Sequence, residues 1–89
     1  MRLARTERFK RAYTALPLDV QSRVDRALRV LLRDPTYPGL RVRRVLGLAK
    51  GNRVFEARVN GGRRITFNWE GDDIILRNVG PHDITSRAP

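Results

Sequence analysis

The apolar residues of this chain change period part-way along, and that change constrains the fold more than any other feature. Phe9, Tyr13 and Leu16 recur at helical spacing behind Thr6, a residue suited to cap a helix N-terminus. Pro17 ends that stripe. Val20, Val24, Ala27, Leu28 and Leu31 then form a second one, closed by Asp34-Pro35. From Arg53 onward the period is two: Phe55, Ala57 and Val59 alternate with Val54, Glu56 and Arg58. Asn60-Gly61-Gly62 reads as a hairpin turn whose residues accept positive φ at little cost. The returning strand sets Ile65, Phe67 and Trp69 against Arg64, Thr66 and Asn68. Glu70-Gly71-Asp72 turns into a more continuously apolar run, Ile74 to Val79.

Leu3 is the one large inward candidate in Met1–Arg5, which suits a brief opening strand. Thr36 to Gly51 is a connector rich in Pro, Gly and Arg, with Val42, Val45 and Leu46 able to dip inward. The expectation is a single α+β domain over residues 1–89. A two-helix hairpin packs on one face of a small, mainly antiparallel four-stranded sheet in the order β-α-α-β-β-β. The helices cover Phe55, Ala57, Val59, Ile65, Phe67 and Trp69. The other face stays open and displays Glu56, Arg58, Arg64, Thr66 and Asn68.

Charge narrows the functional classes. The 89 residues carry 19 Lys+Arg against 9 Asp+Glu, a formal +10, and every cation except Lys10 and Lys50 is arginine. Such a surplus destabilises a small fold by self-repulsion, which points to a polyanionic partner, nucleic acid or acidic protein. The alternative is a plain solvated basic surface, and the same alternative applies to Arg23, Arg26, Arg29 and Arg33 on the second helix. The absence of cysteine excludes disulfides, thiol catalysis and zinc-thiolate sites. His82 is the single histidine, which argues against a histidine-based metal centre; no metal or cofactor is expected. No apolar run approaches the ~20 residues of a membrane span, and the start MRLARTERFK lacks a secretory apolar segment, so a cytoplasmic protein without membrane association is expected.

Guanidinium forks match phosphate oxygens in geometry and charge, so Arg58 and Arg64 on one open sheet face form a candidate phosphate site. Arg64 has an alternative role as the cross-strand partner of Glu56. Arg63 points to the helix side or the sheet rim. Arg77 lies on a buried-looking strand and must reach the rim or an acidic partner. His82, in the segment Asn78-Val79-Gly80-Pro81-His82-Asp83, is either a turn residue bonded to nearby backbone or a proton-transfer group.

Read in order, Phe55-Glu56-Ala57-Arg58-Val59, Arg64-Ile65-Thr66-Phe67 and Ile74 to Asp83 resemble the C-terminal half of RelE/ParE-superfamily toxins of type II toxin–antitoxin systems. The shared pattern is an aromatic-x-x-Arg strand, a turn, an Arg-hydrophobic-x-aromatic strand, and a last strand ending in Val-Gly-x-His. The helical hairpin and basic charge extend the resemblance to essentially the whole chain. It implies a cognate antitoxin, acidic and disordered when free, that wraps the toxin.

Two activities are implied within the superfamily. RelE-like members enter the ribosomal A site and cleave mRNA by attack of a ribose 2′-OH, without a metal. ParE-like members bind DNA gyrase and have no nuclease role; non-catalytic, antitoxin-binding members form a further alternative. By the resemblance, Arg58 and Arg64 hold the scissile phosphate and stabilise transition-state charge, and His82 moves a proton at the leaving 5′-oxygen. Arg77, Arg63 and Glu56 are secondary substrate-binding candidates. The sequence departs from the RNase pattern in two places. Ile84 to Arg87 stand where an aromatic residue follows the terminal His or Arg, and Glu56 stands where RelE has a lysine. Glu56 is either a base or an ion-pair partner of Arg58 or Arg64.

Overall fold

A computed structural model describes residues 1–46 and 53–89. The chain runs β1 (Leu3–Arg5), α1 (Glu7–Thr14), α2 (Leu18–Arg33), a 3₁₀ turn (Pro38–Leu40), β2 (Arg43–Arg44), β3 (Phe55–Asn60), β4 (Arg63–Glu70), β5 (Asp73–Pro81) and α3 (Ile84–Arg87). The strands form one sheet in the order β1-β5-β4-β3-β2. β1 runs parallel to β5 and the remaining neighbours are antiparallel. The α+β class and helix-on-sheet arrangement are as the sequence indicates. The sheet has five strands rather than four, because Arg43–Arg44 of the connector pairs with Phe55 and Glu56.

The helices form where the stripes predict. Thr6 caps α1 by accepting the Phe9 amide at 3.1 Å, and its own hydroxyl donates to the Leu76 carbonyl, tying the helix start to β5. Val20, Val24, Ala27, Leu28 and Leu31 of α2 are all buried, as is Phe9 of α1. They pack over Ala57, Ile65, Phe67, Ile74 and Leu76 from one face of the sheet. α1 lies against β5, and α2 lies against β3. The Tyr13 hydroxyl donates to the Asp25 carboxylate at 2.7 Å and links the two helices. No described helix is long and apolar enough to cross a membrane.

Three details differ from the sequence expectation. Gly61 and Gly62 do not adopt positive φ; the Asn60 side chain closes the hairpin by accepting the Gly62 amide at 3.0 Å. Gly71, in the second turn, does sit in the left-handed region at φ 60°. Trp69, expected under the helices, meets Phe67 edge-on but is 37% exposed. Of the connector residues, Val45 is buried, whereas Leu46 is 84% exposed. The expected inward reach of the connector therefore ends at Val45.

The largest difference concerns the sheet face away from α1 and α2, which is not open along its length. After β5 the chain folds back as α3, Ala88 and Pro89 across the middle of that face. Thr66 Oγ1 donates to the Pro89 oxygen at 2.8 Å, and Asn78 Nδ2 donates to the Ala88 carbonyl at 2.7 Å. Thr85 donates its hydroxyl proton to Glu56. Ile84 is buried over Gly80, where an added Cβ would stand 2.8 Å from Ile84 Cγ2. This fold-back explains why Glu56, Thr66 and Asn78 are buried on what was expected to be a solvent face. Among the described residues every buried polar side-chain atom has a partner.

Candidate functional site

Strand register arranges the polar face in rows. Arg43, Glu56, Thr66 and Asn78 are consecutive cross-strand partners and make one row, which lies beneath the C-terminal segment. Arg58, Arg64 and Gly80 make the next row toward the β3–β4 hairpin. Because Arg58 and Arg64 sit directly opposite each other, their side chains emerge together on one face. Both are half-buried, so their stems are held by the sheet while their guanidinium groups reach water.

These two arginines line a groove of about 110 Å³ together with Arg41, Arg43 and Glu56. Arg41 ends the 3₁₀ turn with φ 47° and ψ 47°, the only described non-glycine residue at positive φ. A side chain in that conformation carries strain of about 1 kcal/mol. The strain is sustained where the connector must turn sharply to bring both Arg41 and Arg43 to the β3 edge.

Glu56 is the only carboxylate of the groove lining. It is 3% exposed and accepts Arg43 Nε at 2.5 Å as well as the Thr85 hydroxyl. Burial by itself raises this carboxyl. The Thr85 hydrogen bond, the Arg43 hydrogen bond and charge, and the charge of Arg64 outweigh burial and hold it below its ordinary 4.5. Glu56 is thus ionised at neutral pH, and its direct partner is Arg43, across the β2–β3 pair, rather than Arg58 or Arg64. Arg64 instead donates from Nη1 to the Asn60 and Arg63 carbonyls at 3.3 and 3.2 Å. Those bonds fix the guanidinium at the hairpin without neutralising it.

The other sequence candidates occupy distinct places. The His82 amide donates to the Gly62 carbonyl at 3.0 Å, which pins the residue beside the hairpin just before Arg64; the histidine itself is exposed and is not part of the groove lining. Arg63 pairs across the sheet with Pro81 and Asn60, and alternation puts it on the face opposite Arg64. Arg77 occupies the β5 irregularity between the Thr66–Asn78 and Phe67–Leu76 pairs. Its Nε donates to the Pro89 oxygen at 3.1 Å and its Nη1 to Asn68 Oδ1 at 3.4 Å. Arg77 therefore meets main chain and an amide, and it anchors the C-terminal fold-back.

Helices over one face of a β1-β5-β4-β3-β2 sheet match known structures over nearly the whole chain. The fold is RelE-like. YafQ from E. coli strain BL21(DE3) superposes with a TM-score of 0.75 at 9% identity, covering 94% of this chain and 96% of that one. The YoeB/ParE toxin from Agrobacterium tumefaciens gives 0.72 at 15% identity, over 92% and 99%. The toxin fold in the archaeal RelE–RelB complex from Pyrococcus horikoshii OT3 gives 0.69 at 22% identity, over 98% and 97%. No family model and no curated protein matches the sequence.

Within this fold, sequence reading found Arg58, Arg64 and Glu56 but missed Arg41 and Arg43. The run Arg41-Val42-Arg43-Arg44 was visible as charge in a connector. Only the pairing of β2 with β3 shows that the run faces the arginines of the hairpin.

Proposed function

We propose that this chain is the toxin of a type II toxin–antitoxin pair and acts as a ribosome-dependent mRNA endoribonuclease in the cytoplasm. The observation that carries this reading is the facing pair Arg58 and Arg64, joined by Arg41 and Arg43 in one groove. In the reaction, a ribose 2′-OH gives its proton to solvent water as its oxygen attacks the adjacent phosphorus, and the P–O5′ bond breaks. The products are a 2′,3′-cyclic phosphate and a free 5′-hydroxyl. The arginines stabilise the charge that builds on the non-bridging oxygens of the phosphorane. His82, beside the hairpin that holds Arg64, donates the proton taken up by the departing 5′-oxygen. Arg63, on the opposite face, and Arg77, bonded to the C-terminal fold-back, take no part in this step. The requirement for a 2′-OH restricts the substrate to RNA.

The partner is a cognate antitoxin, in keeping with the fold's likeness to the toxin of a RelE–RelB complex. An acidic segment would neutralise the arginine surface. A second reading, a gyrase-binding protein of ParE type without nuclease activity, is favoured by Glu56 occupying Arg43 inside the groove.

Toeprinting of translating ribosomes with added protein decides between these readings. Cleavage in the A-site codon is the expected result, and Arg64→Ala and His82→Ala should each slow it on the order of a hundredfold. Intact mRNA together with inhibited gyrase supercoiling would overturn the nuclease reading.

A further inference from the structure

The arginine groove does not end at Arg58. β2 pairs only with Phe55 and Glu56, so among the described residues the outer edge of β3 is unpaired at its hairpin end, and Arg58 lies at that edge. It also lines a second concavity of about 310 Å³, together with Arg23, Arg26 and Val30 of α2, Val59, and Tyr37 from the connector. Arg26 and Val30 in turn belong to a third, of about 610 Å³, with Arg29, Leu32 and Arg33. Arg58 lines both the first and the second concavity, and Arg26 and Val30 line both the second and the third, so the three follow one another from the hairpin corner along α2. Among the described residues no acidic side chain lines the α2 portion of this track. Arg23, Arg26, Arg29 and Arg33 place a guanidinium about every 5 Å along the helix axis.

Tyr37 is the aromatic residue of this track. It is 51% exposed, and its ring lies against Gly39, where a Cβ would meet Tyr37 Cε2 at 2.7 Å. The ring is backed by glycine, half in water and beside Arg23, Arg26 and Arg58, so it offers a flat apolar face next to three cations. A planar base on the ring with phosphates on the neighbouring arginines satisfies both features; stacking platforms interleaved with cations are the general means of holding single strands.

We infer that this track is a binding groove for single-stranded RNA, with Tyr37 as a base-stacking platform on the α2 side of Arg58. The inference rests on the nuclease reading in so far as the track terminates at the Arg58–Arg64 corner. It supplies from the connector the aromatic contact that the C-terminal segment lacks.

Uncleavable 2′-O-methyl oligouridylates separate the two claims by fluorescence anisotropy at low salt. A dinucleotide reports the corner alone, and an oligonucleotide of about eight residues reports corner and track. The longer probe should bind more tightly, and Tyr37→Ala should weaken it about tenfold while leaving the dinucleotide unchanged. Tyr37→Phe should restore it, because stacking needs the ring and not the hydroxyl. Arg26→Gln and Arg29→Gln should each reduce the salt slope of the longer probe by about 0.7. Tyr37 is on the surface, and thermal melting of the variant controls for its fold. A longer probe that binds no better than the dinucleotide, or that ignores Tyr37→Ala, overturns the track while dinucleotide binding through Arg64 stands. Dinucleotide binding indifferent to Arg64→Ala overturns the corner reading instead. An acidic amphipathic peptide that needs Tyr37 when the longer probe does not would give the track to a protein partner and overturn the RNA assignment.

Discussion

Glu56→Gln tests how the groove controls its own charge. Glu56 is buried at 3% exposure and accepts from Arg43 Nε at 2.5 Å and from Thr85, whereas the Arg43 side chain is 74% exposed. The carboxylate is thus fixed in place while its cationic partner lies at the water boundary. Gln has the same shape and keeps one acceptor oxygen, so β3 and α3 remain bridged with weaker bonds. The loss of charge-assisted bonding should cost about 1–2 kcal/mol of fold stability.

The opposite effect is expected on anion binding. A carboxylate about 7 Å from a bound phosphate, at an effective dielectric of about 20, opposes it by about 2 kcal/mol. Exposure of the groove and added salt reduce this to about 1 kcal/mol, or roughly fivefold in Kd. Arg43, released from its partner, adds to the gain. The assay is binding of a 2′-O-methyl dinucleotide by anisotropy at low salt, with urea unfolding in parallel. Tighter binding by a less stable protein is the expected result. Unchanged or weaker binding would refute the view of Glu56 as an electrostatic brake. Cleavage also separates roles: a general base replaced by Gln should lose about a hundredfold or more in rate, and a brake should not.

Three further outcomes follow from the same geometry. The Glu56 carboxyl is held below its ordinary 4.5, so its stabilisation is full above that pH and is lost as pH falls through the lower folded value; acid urea titrations should show this loss in the wild type and not in Glu56→Gln. Arg41→Gly relieves the strain at φ 47° but gains unfolded-state entropy, so stability should move by no more than about 1 kcal/mol while dinucleotide affinity falls; a large destabilisation in urea would show that Arg41 does structural work beyond the groove. Gly80→Ala puts a Cβ 2.8 Å from Ile84 Cγ2 and should lift α3, costing about 1–3 kcal/mol and speeding hydrogen exchange at Arg87 and Ala88; unchanged exchange would mean that the fold-back accommodates a methyl group.

The sequence by itself determined the elements whose side chains repeat over several turns or pleats. The α2 stripe, the Thr6 cap and the β3–β4 alternation are local patterns, and each forms where it was read. Arg58 and Arg64 were legible for the same reason, because alternation and a tight hairpin place them on one face. The brief opening strand was also legible, but its parallel pairing with β5 was not, and tertiary structure alone decided β2, since Arg43–Arg44 is too short to show a period and exists by pairing with β3. It also decided that Glu56 meets Arg43 rather than Arg58 or Arg64, and that Arg41 joins the groove. The fold-back over Thr66 and Asn78 was hidden too, because the main-chain oxygens of Ala88 and Pro89 that hold it down have no side-chain signature. Periodicity reports which face a residue occupies, but which distant segment closes over that face depends on non-local pairing, and at this site that pairing chose Arg43 and Thr85 as the partners of Glu56.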